Sequence, residues 1–154
     1  MTVYLNIGTN VGNREQNLRD AMAMLRNNPG FRSSAIVESE PWGYESPNKF
    51  LNVGVAFEEN ALKPEQILSL LHQIEQKTSM ASHRTQDGNY ADRIVDVDIV
   101  AIDDLVMDTP RLTLPHPHLA KREFFLVPMK ELAPDWRHPV TGKTPAEMLS
   151  SLQA

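Results

Sequence analysis

Two aspartates lie two residues apart in the most β-branched segment of the chain. Asp96 and Asp98 interrupt the apolar segment 94–102, which we expect to be a strand. Side chains of a strand alternate between its faces, so both carboxylates point the same way, about 7 Å apart. The two negative carboxylates repel each other unless a cation lies between them. Pairs of this kind hold the Mg²⁺ that binds nucleotide phosphates. The pair therefore predicts one or two metal ions beside a phosphoryl group, or else an exposed strand face on which both aspartates are solvated.

A polar amide in the clearest predicted strand is the second candidate. In segment 51–58, large apolar side chains alternate with Asn52, Gly54, Ala56 and Glu58. An amide beside small residues makes room for a flat heterocycle, whose edge it would hydrogen-bond. A surface asparagine with satisfied hydrogen bonds is the alternative. Neighbouring aromatic residues favour the first interpretation, because flat ligands bind between aromatic walls; these residues are Trp42, Tyr44 and Phe50.

A proline-rich turn at 114–118 carries two histidines, His116 and His118. No third histidine or any cysteine lies nearby, so a zinc site is not expected. A phosphate contact by His116 together with Arg111 and Arg122 is the functional hypothesis, and a histidine that caps a helix is the alternative. The glycine-rich segment 8–13 lacks the lysine of a P-loop, so we interpret it as a strand-to-helix turn.

The elements that must position these residues follow from hydrophobic periodicity and from glycine and proline. Strands are predicted at 3–7, 34–39, 51–58 and 94–102, with helices over 14–28 and from Pro64 onward. The polar segment 79–92 is predicted to be a long functional loop. This β-α-β-β-α-β order predicts an α+β, ferredoxin-like fold, an antiparallel sheet with helices on one face, in a single domain over 1–154. The C-terminal third is an extension that covers part of the other face, and Thr144, Pro145 and Glu147 predict its last helix through a capping box.

Composition narrows the class of protein. The 154 residues contain 15 Lys+Arg against 20 Asp+Glu, a net charge of -5, and no cysteine. The lack of cysteine excludes a disulfide scaffold and thiol catalysis. Without a basic block, nucleic acid is not an expected partner. No apolar run approaches the ~20 residues of a membrane span, and the first residues lack the basic-then-apolar pattern of a signal peptide. We therefore expect a cytoplasmic protein without a membrane partner.

Six segments carry a resemblance to a known family. The chain reads YLNIGTNVGNR at 4–14, ESEPWG at 38–43, FLN at 50–52, IE at 74–75, RIVDVDI at 93–99, and LPHP and REF between 114 and 124. In this order they resemble the 6-hydroxymethyl-7,8-dihydropterin pyrophosphokinase family of folate biosynthesis, over nearly the whole chain. No single segment is decisive, but six in register are highly specific.

The resemblance implies an activity and a set of site residues. The expected reaction transfers pyrophosphate from ATP, the co-substrate, to the hydroxymethyl group of the reduced pterin, giving AMP, in a monomer. Asp96 and Asp98 would hold two Mg²⁺ and act in catalysis with Arg84 and Arg93. The pterin would contact Ser39, Trp42, Phe50, Asn52, Tyr90 and Phe124. ATP would contact Glu75, Arg93, Ile99, Arg111, Thr113, His116 and Arg122.

The chain departs from the family pattern in one place. Ser79 and Met80 stand where the family has Gly and Arg after the I-E pair, and Arg84 is the expected replacement for that arginine. The alternative is a homologue that binds pterin and nucleotide but is catalytically impaired. A ferredoxin-like interaction module is a third possibility, and it predicts no ATP affinity. The group that takes the hydroxyl proton stays open, with His116 and His83 as candidates by residue type.

Overall fold

An antiparallel sheet forms the centre of the chain. The structure, a computed structural model, describes residues 1–41, 48–83 and 94–153. Within these residues the sheet has the strand order β2-β4-β1-β5, and β3 also pairs with β4. The strands are β1 (Thr2–Thr9), β2 (Arg32–Ser33), β3 (Val37–Ser39), β4 (Phe50–Glu58) and β5 (Asp96–Ile102). β1 is therefore flanked by β4 and β5.

Three of the four α-helices in the described chain begin at a capping residue or a proline. α1 (Arg14–Ala23) follows Asn13, whose side chain accepts a hydrogen bond from the Gln16 amide. α2 (Pro64–His83) starts at the predicted proline. Further along the chain lie α3 (Glu123–Leu132) and α4 (Pro145–Gln153), and a hairpin is formed by β6 (Met107–Asp108) and β7 (Thr113–Leu114). The capping box of α4 is confirmed, because the Thr144 and Glu147 amides each donate to the other residue's side chain.

The two faces of the sheet are covered by different helices. One face packs against apolar residues of α1 and α2, including Leu18 and Leu71. The other face packs against α3 and α4, including Phe125 and Met148. The α+β prediction of an antiparallel sheet with helices is thus confirmed, and the C-terminal third covers part of the second face. The uncovered part of that face contains Asp96.

The predicted strand over 34–39 is interrupted. Ser34 is buried, and its hydroxyl accepts a hydrogen bond from the Gly54 amide at 2.8 Å, in place of a backbone carbonyl. The hydroxyl in turn donates to the carbonyl of Ala35. These side-chain hydrogen bonds interrupt the ladder to β4 in the gap that separates β2 from β3, and Ile36 in this gap is half-exposed.

Helix α2 is longer than predicted. Residues 79–83 were expected to open a loop, but they continue the helix to His83. Two polar side chains at the start of this stretch are buried with partners: Thr78 donates to the carbonyl of Ile74, and the hydroxyl of Ser79, the first residue of the predicted loop, accepts from the Ile94 amide. Their hydrogen bonds make a polar helix turn compatible with burial.

A register shift in β5 alters the predicted alternation. The β1–β5 pairing shifts between Tyr4 and Leu5, which leaves one extra residue in β5. Val100 and Ala101 therefore both join the cluster under α3 and α4, while Ile102 joins the opposite cluster. Strict alternation along the predicted strand 94–102 would place both Val100 and Ile102 on the face of the aspartates. Val100 is on that face, but the bulge moves Ile102 to the opposite one.

Candidate active site

A cleft of about 590 Å³ lies over the uncovered part of the sheet. Its floor comes from three adjacent strands. In the pairing register Gly8 is opposite Asn52 on one side and Asp96 on the other, and Asn6 is opposite Asp98. Two strand spacings therefore separate Asn52 from Asp96, about 10 Å. The amide and the carboxylates that were selected independently from the sequence line one cleft.

Asn52 is held in a fixed orientation at one end of this floor. It is buried, and its Nδ2 donates to the hydroxyl of Ser39 at 2.8 Å and to the carbonyl of Val37 at 3.2 Å. Its Oδ1 lies over Gly8, where a Cβ added to the glycine would be only 2.9 Å away. Since both donors are directed to β3, the amide presents an acceptor oxygen to the cleft.

Gly8 is a site residue that sequence reasoning missed. It was interpreted as the start of a turn, yet it belongs to β1 and lines the cleft between Asn52 and Asp96. A side chain here would also meet the ring of Phe50, at 3.5 Å. Strand alternation was the available signal, because it places Gly8 and Asn6 on one face of the first strand.

The small residues beside Asn52 have a different role from the one predicted. A Cβ on Gly54 would lie 2.5 Å from Cβ of Pro128, and Ala56 belongs to the apolar cluster under α3. The expectation that they make room for a heterocycle is wrong, because α3 fills that space. The opening in the floor is at Gly8 instead.

The segment that leads into α3 forms one wall. The carbonyl of Phe124 accepts a hydrogen bond from Nδ2 of Asn6 at 2.8 Å, which ties the wall to the floor. The guanidinium of Arg122 lies 5.6 Å from the ring centre of Phe124 and 4.9 Å from that of Phe125. Burial lowers the pKa of Arg122 and the charge of Asp98 opposes this shift, so the site sets a cation close to a carboxylate of the floor.

His116 is a neutral hydrogen-bond donor in this site. Its Nδ1 accepts from the His118 amide at 3.1 Å, and its ring packs edge-on against Phe125. Burial, followed by the charges of Arg122 and His118, lowers the pKa of His116 to about 4. At neutral pH the proton therefore sits on Nε2. With Nδ1 accepting and Nε2 protonated, His116 is placed to donate a hydrogen bond, which argues against it as the proton acceptor. The His83 side chain lies outside the described residues.

The outer end of the cleft follows the edge of β5. Glu75 is buried and accepts a hydrogen bond from the Val97 amide at 2.9 Å. The hairpin adds Arg111 and Thr113, and Ile99 lines the same end. Two further lining residues on α2, Leu68 and His72, were missed, although their helical spacing from Glu75 was a usable signal.

The cleft thus brings together most of the residues chosen from the sequence. Its lining includes Ser39, Phe50, Asn52, Glu75, Asp96, Asp98, Ile99, Arg111, Thr113, His116, Arg122 and Phe124. Four others, Trp42, Arg84, Tyr90 and Arg93, lie outside the described residues. The groups in the described cleft are carboxylates, arginines, a neutral imidazole and an anchored amide, which suit charge neutralisation and positioning in phosphoryl transfer.

The fold and this cleft define an α+β protein whose antiparallel sheet carries carboxylates, arginines and an anchored amide in one cleft. Residues 4–134 match the family described as 7,8-dihydro-6-hydroxymethylpterin-pyrophosphokinase. The chain belongs to this family of pterin pyrophosphokinases of folate biosynthesis. It is therefore an ATP-dependent diphosphotransferase, with a pterin and ATP as its small-molecule substrates.

Relatives from distant bacteria agree with this membership. The chain is 39% identical to a 2-amino-4-hydroxy-6-hydroxymethyldihydropteridine pyrophosphokinase of Porphyromonas gingivalis, over 89% of this chain and 93% of the relative. It is 34% identical to enzymes of the same name from Aquifex aeolicus, over 92% and 86% of the two chains, and from Bacillus subtilis, over 84% and 76%.

Solved structures support the fold. A Plasmodium falciparum HPPK-DHPS triple mutant with STZ-DHP superimposes with a TM-score of 0.75, at 13% identity, over 97% of this chain and 43% of that one. The wild-type protein with pteroate gives 0.74, at 14% identity, over 97% and 42%. In the part of the chain that the structure describes, no helix is both long and apolar enough to cross a membrane.

Proposed function

We propose that this chain transfers pyrophosphate from ATP to the hydroxymethyl group of 6-hydroxymethyl-7,8-dihydropterin, giving the pterin diphosphate and AMP, with two Mg²⁺ held by Asp96 and Asp98. The observation that carries the proposal is the row Asn52–Gly8–Asp96 across three paired strands. It sets a fixed amide about two strand spacings from a carboxylate, which suits a pterin whose hydroxymethyl group points toward bound phosphates.

We also infer that the arrangement is ferredoxin-like and that residues 1–154 form one domain, active as a monomer. The strand order supports the first inference, because the two central strands β4 and β1 are flanked by β2 and β5. Two apolar clusters on opposite faces of one sheet support a single domain. The monomeric state is carried over from the family resemblance.

The pterin end uses an acceptor and aromatic walls. Oδ1 of Asn52 would accept from an N–H of the pterin edge, while Ser39 holds the amide through its hydroxyl. Phe50 and Phe124 line this end. The family resemblance adds Trp42 and Tyr90 to the same subsite.

The aspartates fit the donor chemistry of Mg²⁺. Asp96 is exposed and Asp98 half-buried on the cleft floor. Among the described residues no group of three His, Cys, Asp or Glu is positioned to enclose a metal. Two carboxylates with open positions suit an ion that takes its other ligands from phosphates and water. Bound there, Mg²⁺ would neutralise the charge of the transferred group.

Several hydrogen-bond donors line the end of the cleft proposed for the ATP phosphates. Arg111, Thr113 and Arg122 line the outer cleft, and Nε2–H of His116 is a neutral donor beside them. Val97 directs its amide away from β1 to Glu75, so the backbone of Ile99, two residues further on, faces the same edge. This edge and Glu75 would receive the nucleoside part.

The reaction is a direct displacement at the β-phosphorus. The pterin hydroxyl oxygen forms a bond to that phosphorus, the bond from it to the α-phosphate oxygen breaks, and AMP leaves with the electron pair. The hydroxyl loses its proton as the new bond forms. Arg84 and Arg93 are proposed to stabilise the charge of the transferred group.

AMP release tests the proposal. With ATP and Mg²⁺, wild-type protein is expected to form AMP only when the pterin is present. Asp96→Asn is expected to reduce turnover at least about 100-fold, because a metal ligand is lost. Full turnover by Asp96→Asn would contradict the metal assignment.

The impaired homologue is the second candidate, and the Ser79-Met80 departure favours it. Arg84→Ala separates the two, with Arg19→Ala on the exposed face of α1 as the matched control. If Arg84 replaces the family arginine, only Arg84→Ala loses turnover, while both variants bind pterin and ATP in calorimetry. Binding of both ligands by the wild type without AMP formation would support the impaired homologue.

A further inference from the structure

Ser79, the residue that departs from the family's glycine, makes a buried hydrogen bond to the segment that leads into β5, the strand of the aspartates. It is 6% exposed, and its hydroxyl accepts from the Ile94 amide at 3.0 Å. Ile94 is two residues before Asp96. A glycine at position 79 has no side chain with which to make this contact.

The carbonyl of Ile94 is fixed as well. It accepts a hydrogen bond from the hydroxyl of Thr9 at 2.8 Å, and this hydroxyl accepts from Nδ2 of Asn17 at 3.2 Å. Thr9 and Asn17 are 1% and 4% exposed. The paired register of β1 and β5 ends at Gly8 and Asp96, so these side chains hold β5 just beyond the end of its ladder.

Helix α2 holds the strand on both sides of Asp96. Glu75 and Ser79 are four residues apart and therefore lie on one face of α2. Glu75 accepts from the Val97 amide and Ser79 from the Ile94 amide. The two backbone groups bracket Asp96, and β5 is the edge strand of the sheet, with β1 as its only ladder partner among the described strands.

We propose that Ser79 is a positioning residue for the metal-binding carboxylates, acting through the backbone of Ile94, together with Thr9 from the other side. The proposal rests on the proposed function, in which Asp96 and Asp98 hold Mg²⁺. Two carboxylates on an edge strand repel each other, and the three backbone anchors keep Asp96 at the spacing that the metal requires. Pterin binding does not depend on these anchors, because Asn52 is fixed by β3.

The test compares Ser79→Ala with Ser69→Ala. Ser69 lies on the same helix, is exposed, and donates only within α2, to the carbonyl of Glu65. The probe is Mn²⁺, titrated by electron paramagnetic resonance in the presence of α,β-methylene-ATP. Ser79→Ala is expected to weaken Mn²⁺ binding about tenfold, the scale of a lost outer-shell contact, with pterin affinity unchanged. Ser69→Ala is expected to match the wild type.

Amide hydrogen exchange without metal or nucleotide provides a second measurement. The Ile94 amide should exchange at least about tenfold faster in Ser79→Ala, since it loses a buried acceptor. If Ser79→Ala does not fold, Thr9→Val removes the other anchor and is expected to weaken Mn²⁺ binding in the same way.

Asp96→Asn separates the failure of this proposal from the failure of the proposed function. If Asp96→Asn leaves Mn²⁺ binding unchanged, the metal assignment is wrong and the positioning role is wrong with it. If Asp96→Asn weakens binding while Ser79→Ala lowers only the melting temperature, Ser79 is structural and the positioning role alone is overturned. Equal losses of Mn²⁺ and pterin affinity in Ser79→Ala would overturn it too.

Discussion

Gly8 occupies a point of the cleft floor where a methyl group would disturb substrate binding directly. The added Cβ would lie 2.9 Å from Oδ1 of Asn52, and this amide cannot withdraw without losing its hydrogen bonds to Ser39 and Val37. Losing one such contact costs about 1 to 1.5 kcal/mol, so Gly8→Ala should raise KM for the pterin about tenfold. KM for ATP should stay within about twofold, because the nucleotide donors lie elsewhere in the cleft. Steady-state kinetics with each substrate varied would check this, and an unchanged pterin KM would contradict it.

His116 should make the free energy of unfolding depend on pH. Its pKa in the folded protein is about 4, below the ordinary 6.5, because of burial and of nearby positive charge. Between these two values the unfolded chain binds a proton that the folded chain does not, so the free energy of unfolding falls as the pH falls from 6.5 toward 4. The full shift would correspond to about 3 kcal/mol, and solvent screening at this half-buried ring reduces the expected loss to about 1 kcal/mol.

Urea unfolding of wild type and His116→Gln at pH 7, 6 and 5 measures this effect. The free energy of unfolding should fall less between pH 7 and pH 5 in the variant than in the wild type, by about 1 kcal/mol. Nitrogen NMR of the wild type at pH 6 should show a neutral ring with its proton on Nε2. A charged ring at that pH would contradict both the pKa and the donor role.

At the scale of elements, the contact between β4 and α3 depends on Gly54. A Cβ at this position would lie 2.5 Å from Cβ of Pro128 and 3.1 Å from Cδ1 of Leu132, atoms of a packed helix with little freedom to move. Overpacking of this kind costs about 1 to 3 kcal/mol, so Gly54→Ala should lower the melting temperature while the folded enzyme keeps its KM values. Gly8→Ala is the control: it should raise KM for the pterin and leave the melting temperature unchanged. A Gly54→Ala protein as stable as the wild type would mean that α3 shifts freely over the sheet.

Local patterns predicted the elements whose signals are local. The alternation of β4, the proline at the start of α2 and the capping box of α4 all appear in the structure. The errors occur where distant contacts decide. The last turn of α2 depends on the bond between Ser79 and Ile94, and the break between β2 and β3 depends on Ser34 and Gly54, 20 residues apart. Such contacts cannot be deduced from periodicity, because they require the register of the sheet.

At the scale of the whole molecule, the same limit applies to the candidate site. Asp96, Asp98 and Asn52 were identified from residue type and strand position alone, and the structure places them in one cleft. Asn6 was missed, because its function depends on a hydrogen bond to Phe124 across 118 positions of sequence. The roles toward pterin and ATP came from the family resemblance, since no local pattern distinguishes a pterin from another flat ligand.

The whole chain also predicts how the two substrates should stabilise it. Each ligand at 100 times its Kd adds about 2.7 kcal/mol to the free energy of unfolding, which raises the melting temperature by about 5 to 10 °C at this chain length. The amide and the carboxylates occupy opposite ends of one floor, so the two shifts should respond to different variants. Asp96→Asn should lose the Mg²⁺-dependent shift with α,β-methylene-ATP and keep the pterin shift. Asn52→Ala should show the reverse, and loss of both shifts in either variant would mean that the two ends of the cleft do not bind separately.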